Sequence, residues 1–395
     1  MADALPDTFD PPRDGILRPY ARLADATEAL IPSPCVQNHA ANLMQLGNGD
    51  LACVWFGGTQ EGIPDISIWF SRLKPGADAW SPAEKLSDDA TRSEQNPMLF
   101  PAPDGRLWLL WTAQINGRQD TAIVRYRISG DDGRTWGQIA TLIDEPGTFI
   151  RQPIIVAHDG AWILPVFLCR TEPGVAWVGN DDVSAVKISR DAGATWSHVE
   201  VPGSTGAVHM NVVDLGDDGL VALYRSRWAD HVRLSRSLDE GFTWSAPEDT
   251  LLPNNNSSIQ AVRLHDGQLA LVHNHASRLD ARDRRLSLYD EIEDPDAGTT
   301  PTTERVGVPT AFWGAPRAPM TLSISPDGGR SWPTRIDVEE GDGFCLSNNS
   351  RDSKNRELSY PSIVQTRDGR IHIAYTWFRK AIKHISLDLV PAASS

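Results

Sequence analysis

The sequence predicts an all-β chain whose strands close into a six-bladed β-propeller of four-stranded antiparallel blades. Three observations carry this reading. One eight-residue phrase recurs four times, glycine turns between apolar runs recur at six places, and 31 glycines, 28 prolines and 14 tryptophans favour turns and aromatic packing over long helices.

The phrase sets serine, aspartate, glycine, threonine and tryptophan at fixed spacing. It occurs as Ser129, Asp131, Gly133, Thr135, Trp136; as Ser189, Asp191, Gly193, Thr195, Trp196; and as Ser237, Asp239, Gly241, Thr243, Trp244. A fourth copy, Ser325, Asp327, Gly329, Ser331, Trp332, has serine for threonine, and a degenerate one over residues 71–80 keeps Gly76 and Trp80. Serine and aspartate oxygens accept from turn amides, glycine supplies a positive φ, and tryptophan covers the hairpin. The phrase is therefore structural.

The turn glycines are Gly49, Gly105, Gly160, Gly219, Gly267 and Gly369, at intervals of 56, 55, 59, 48 and 102 residues. Asp-Gly between apolar runs signals a hairpin, as at Asp104-Gly105 ahead of the run 107–111. The first five units each have room for four strands. The last interval also holds an insertion over about 278–319, polar and proline-rich (Pro295, Pro301, Pro309, Pro316, Pro319), read as a lid or a contact in a homo-oligomer. Residues 357–389 have room for three strands only, so residues 16–23 are expected to supply the missing outer strand and close the ring. The whole chain, 1–395, is read as one domain.

With 37 Lys and Arg against 52 Asp and Glu, the net charge of −15 and the lack of a basic run argue against nucleic acid or anionic membrane as partners. No stretch is long enough to span a membrane, and the acidic start has neither the basic nor the apolar part of a secretory signal. Cys35, Cys53, Cys169 and Cys345 lack metal-ligand spacing and read as free thiols of a reducing compartment, which places the protein in the cytoplasm. No metal or cofactor is assigned, and Asn180, Asp181 and Asp182 are read as a solvated turn.

Aligned on the turn glycines, with one residue of slack in the third unit, the inner strands begin with His39, Gln95, Arg151, His209, Ser257 and Ser359, followed by Ala40, Asn96, Gln152, Met210, Ser258 and Tyr360. In a propeller these positions converge near the axis. A column of donors and acceptors suits a sugar with many hydroxyls, whereas exposed strand starts would be polar without any function. Two histidines, an arginine and a tyrosine make the set reactive. His39 and His209 fall at equivalent places across the ring and serve as acid or base. His158, His198, His231, His265, His273, His275, His372 and His384 are read as structural.

The recurring phrase is the Asp-box, and over nearly its whole length the chain resembles a six-bladed member of the sialidase (neuraminidase) superfamily. The resemblance implies Asp-boxes on the rim, an active site where inner strands open into a central cavity, and three arginines clamping the substrate carboxylate. Arg151 and Arg225 are the matching candidates, with Arg227, Arg351 and Arg356 as further ones. Tyr360 looks like the family's nucleophilic tyrosine. Two departures stand out: residues 35–41, including Asn38 and His39, replace an Arg-Ile-Pro motif, and His209, Met210 and Asn211 occupy the place of the tyrosine's glutamate partner. Glu357 or Glu94 then substitutes for that glutamate, and Asp65 or Glu61 is the acid. Asn38, Gln95, Asn96, Gln152 and Asn211 join the substrate-binding set.

These residues imply an exo-acting glycoside hydrolase that removes a terminal acidic sugar from an oligosaccharide. The chain is also similar to propeller polysaccharide lyases and rhamnosidase-like enzymes. In a lyase of the rhamnose-glucuronate type, histidine, tyrosine and arginine perform β-elimination on a uronate. A third reading is a glycan-binding propeller without activity, with the asparagine-rich stretches 254–258 and 348–351 contacting sugar hydroxyls.

Overall fold

Each predicted turn glycine joins two apolar strands into a hairpin, and the strands that follow extend each hairpin into one blade. The computed structural model describes residues 11–294, 296, 298–299, 307–349 and 352–389 and has six antiparallel sheets. The first blade is Gln37–Gln45, Leu51–Gly58, Ser67–Leu73 and Glu84–Lys85. The second is Ser93–Pro101, Leu107–Ile115, Arg118–Ser129 and Ala140–Ile143. In the third, an inner strand split into Thr148–Phe149 and Ile155–Val156 precedes Trp162–Leu168, Val183–Ser189 and Ser197–Glu200. The fourth is Ala207–Asp214, Leu220–Ser226, His231–Ser237 and Glu248–Pro253, and the fifth is Gln260–Arg263, Leu269–Asn274, Met320–Ser325 and Thr334–Glu339. The sixth is Leu358–Gln365, Ile371–Trp377 and Ala381–Leu387, completed by Thr27–Ile31 from the start of the chain.

The closing strand corrects the sequence expectation. Thr27–Ile31, not residues 16–23, pairs with the last strand, from Thr27 opposite Ser386 to Ile31 opposite Ile382. Arg18–Pro19 forms only a two-residue fifth strand outside it. Pro19 has no amide hydrogen, so its segment suits the edge of a sheet and not the paired position.

The core is a set of wedges between blades rather than one central mass. Phe100, Trp108 and Trp162 pack between the second and third blades, and Val272, Met320, Ile363 and Tyr375 between the fifth and sixth. The Asp-boxes brace the outer hairpins as expected. In the second copy, Asp191 Oδ1 accepts from the Ser189 hydroxyl at 2.8 Å and the Thr195 amide at 2.8 Å, and Ser189 Oγ accepts from the Gly193 amide at 2.9 Å. A Cβ on Gly193, at φ +87°, would stand 3.0 Å from Trp108 and Trp162, so glycine is needed for packing as well as for the turn.

Polar inner-strand residues also stitch blade to blade. Asn42 Oδ1 accepts from the Leu99 amide at 2.9 Å, Ser362 Oγ accepts from the Leu43 amide at 2.8 Å, and Asn211 Oδ1 accepts from the Ala261 amide. Asn42→Ala would leave the buried Leu99 amide without its acceptor. It is expected to cost about 1–3 kcal/mol in denaturant unfolding, and an unchanged midpoint would show that this seam contributes nothing.

Candidate active site

The inner strands share a local irregularity that builds the site. Ala40, Asn96, His209 and Tyr360 all have left-handed φ, at 59°, 49°, 55° and 51°, and each sits at a one-residue register shift. Such a bulge re-aims a side chain, and left-handed backbone at a tyrosine or histidine costs roughly 1–3 kcal/mol, which the surrounding ring has to offset. It also corrects the alignment. His209 is the counterpart of Tyr360 and Ala40, while Val208 holds the place of His39, so the two histidines are not equivalent.

They nevertheless meet at one tyrosine. The rings of His39 and His209 lie 4.2 and 5.7 Å from that of Tyr360. Arg225 Nη1 donates to the Tyr360 phenol oxygen at 2.6 Å and lies 3.4 Å from His209 Nε2. The guanidiniums of Arg151, Arg225 and Arg317 stand 5.5, 5.6 and 5.6 Å from the ring centre. All of these side chains are buried, Tyr360 being 4% exposed and His39 0%.

Beside them runs an ion-pair network. Glu357 Oε1 accepts from Arg317 Nη1 at 3.0 Å, Arg379 Nε at 2.9 Å and the Ser359 hydroxyl at 2.6 Å, and Arg379 also pairs with Glu61. Burial alone would raise the Glu357 carboxyl, but the Arg317 and Arg379 charges outweigh it and hold it at about 2. His39 and His209 are pushed well below the ordinary imidazole value, first by burial and then by the arginine charges, so both are neutral near pH 7. Burial brings Arg225 down to about 9, which leaves it charged. Four guanidiniums, of Arg151, Arg225, Arg317 and Arg379, are answered by two carboxylates. Among the described residues, His39 Nε2, His209 Nδ1, Arg151 Nη1, Arg225 Nη2, Arg317 Nε and Arg379 Nη2 are buried without a hydrogen-bond partner.

Other predicted residues have structural partners. Arg151 Nη2 donates to the carbonyls of Ala41, Tyr360 and Pro361, tying the third blade to the bulges of the first and sixth. Gln152 donates to the Ile259 carbonyl and accepts from Gln260, and Asn38 accepts from Trp55 and donates to the Cys35 and Lys380 carbonyls. Gln95 accepts from Tyr289, and Asn96 holds a bulge with its Oδ1 unpartnered among the described residues. Glu94 accepts from Trp111 and the Asp89 amide, and Asp65 is exposed and accepts from the Thr59 amide. Of the two acids considered in the first blade, Glu61 is the one joined to the arginine network. Arg227 is paired with Asp182 at 2.7 Å, Arg356 binds Asp342 at the surface, and Arg351 lies outside the described residues.

Arg317 and Arg379 were missed by the sequence reading. The signal for Arg379 was available, since it follows the second strand of its blade much as Arg225 ends the second strand of the fourth. Arg317 comes from the insertion, which crosses the mouth of the ring. Tyr289 of the insertion lies against Gly62 and Gly117 and donates to Gln95, the Trp313 indole donates to the Val178 carbonyl, and Phe312 donates its amide to the Arg227 carbonyl. Tyr289 and Trp313 join Phe149, Phe167, Trp177 and Trp228 in an apolar layer of their own.

The family model of the BNR repeat-like domain matches residues 49–373. No curated protein matches the chain in sequence. Among solved structures, the Hadza microbial sialidase Hz136 is similar at 16% identity and TM-score 0.64, over 90% of this chain and 66% of that one, so this chain spans just under two thirds of its length. A protein of unknown function from Dyadobacter fermentans aligns at 16% identity and TM-score 0.66, over 93% of this chain and 100% of its own. The intramolecular trans-sialidase from Ruminococcus gnavus aligns at 13% identity and TM-score 0.60, over 89% and 94%. The ring of blades, its Asp-boxes and the family match together make this chain a member of the BNR repeat-like family, with a fold shared with those sialidases.

Proposed function

We propose that this chain is an exo-acting glycoside hydrolase that removes a terminal acidic sugar from an oligosaccharide. The observation that carries the reading is the buried cluster at Tyr360, where guanidiniums outnumber carboxylates and keep unpartnered N–H groups among the described residues. Planar guanidiniums pair with a carboxylate through two parallel bonds, and buried excess positive charge favours an anion. Arg225 and Arg317 hold the sugar carboxylate. The Tyr360 oxygen bonds to the anomeric carbon as the glycosidic bond breaks, and a neutral imidazole, His39 or His209, takes the phenolic proton. Asp65, exposed in the first blade, protonates the leaving oxygen. Water then releases the sugar and restores the phenol.

A specific observation favours elimination as a second reading. Two neutral imidazoles flank the phenol, and among the described residues no carboxylate is hydrogen-bonded to it. One imidazole would remove the proton beside a uronate carboxylate, and the phenol would protonate the leaving oxygen. Incubation with aryl sialosides and uronate-containing oligosaccharides separates the readings. Free acidic sugar without the absorbance of a conjugated uronate is the expected result, appearance of that absorbance from the uronate-containing oligosaccharides would replace hydrolysis by elimination, and binding without turnover would leave a glycan-binding propeller. Alanine at whichever of His39 and His209 takes the proton is expected to slow turnover by about 10²–10⁴-fold in either reaction, so the products, and not these variants, separate hydrolysis from elimination.

A further inference from the structure

Arg225 touches the Tyr360 phenol, yet no carboxylate among the described residues pairs with it, so neutral contacts set its direction. Its Nε donates to Asn256 Oδ1 at 2.7 Å, and its guanidinium lies 5.5 Å from the Trp313 ring. Asn256 is itself held from the insertion, donating from Nδ2 to the Phe312 carbonyl at 2.9 Å. Its backbone has left-handed φ of 57° and is fixed by Asn254, whose Oδ1 accepts from both the Asn256 and Ser226 amides at 3.0 Å. Asn255 adds a bond to the Pro316 carbonyl at 2.7 Å. Trp313 is anchored by its indole bond to Val178 and also covers Arg227 at 5.2 Å.

We infer that the insertion completes the active site by aiming Arg225 at Tyr360, with Asn256 and Trp313 as positioning residues. The inference rests on Tyr360 and Arg225 being the reacting pair. It assigns the asparagine-rich stretch at 254–256 a task other than sugar contact. A guanidinium without an ion pair keeps one direction only while its acceptor and the aromatic face beneath it stay in place. Removing either frees the fork to rotate away from the phenol.

The test compares Asn256→Gly, Trp313→Leu and Trp313→Phe with the unmodified protein. Asn256→Gly tolerates the left-handed backbone and so keeps a folded variant available should Trp313→Leu fail to fold. Crystal structures of the variants read the distance from Arg225 Nη1 to the Tyr360 oxygen, and kinetics use whichever aryl sialoside or uronide the unmodified protein turns over. The expected result is loss of that hydrogen bond in Asn256→Gly and Trp313→Leu, with kcat lower by about 10²-fold and KM raised as well, because Arg225 also holds the sugar carboxylate. Trp313→Phe, which keeps an aromatic face, is expected to restore both the bond and most of kcat. Arg225 still on the phenol oxygen in Asn256→Gly, or unchanged kcat, would overturn the inference. If the unmodified protein turns over neither substrate class, the functional reading fails on its own, and the crystallographic distance still decides the positioning.

Discussion

Tyr360→Phe is expected to abolish turnover while leaving the protein folded and able to bind the acidic sugar. The substitution keeps the ring that packs 4.2 Å from His39 and deletes only the oxygen to which Arg225 donates. Loss of a nucleophile or an essential proton donor lowers kcat by about 10³- to 10⁶-fold, whereas the arginine contacts to a carboxylate are retained. The cost in stability is about 1–3 kcal/mol, because a buried Arg225 donor loses its acceptor. Single-turnover kinetics and calorimetric binding on the same variant check both halves. Full activity would remove Tyr360 from the mechanism, and loss of binding would show that the phenol holds the sugar without reacting with it.

Glu357→Gln has the largest expected effect on stability. Glu357 is fully buried and accepts from Arg317, Arg379, Ser359 and Asn355. Neutralising it leaves two guanidiniums facing each other with Glu61 as their remaining carboxylate, and breaking a buried pair from one side costs about 3–5 kcal/mol. The pH dependence follows from the same charges. The folded carboxyl, at about 2, lies below its ordinary 4.5, so the folded state binds its proton less readily than the unfolded chain. Its contribution is complete above about pH 4.5 and disappears as the pH falls toward 2. Guanidinium unfolding at pH 7 and at pH 3 should show a large gap between the unmodified protein and Glu357→Gln that narrows in acid. A gap below about 1 kcal/mol at pH 7 would mean that the arginines find other partners.

The parts of this molecule legible in the sequence are those set by short-range rules. The Asp-boxes, the turn glycines and the apolar runs between them identify hairpins within windows of about ten residues, and six such units imply a closed ring. Tyr360, His39, His209 and Arg225 lie together because a ring brings strand starts and hairpin ends to a common axis. The errors arose where one residue of register mattered. The bulge that aligns His209 with Tyr360 carries no residue signature, because alanine, asparagine, histidine and tyrosine all occupy it. Pro19 is a local signal against residues 16–23 as the closing strand, because proline has no amide hydrogen to pair.

By itself the sequence determined the blade count, the hairpins, the rim phrases and the tyrosine at the centre, since turn chemistry and period-two patterning act between neighbours in the chain. The tertiary structure decided which charges surround that tyrosine. Arg379 and Glu61 are 318 residues apart, Arg317 reaches Glu357 from an insertion whose composition reads as surface, and Arg151 turns toward backbone carbonyls. Such pairings depend on where guanidiniums and carboxylates converge in a buried space, and Coulomb forces act on distance through space whatever the separation along the chain.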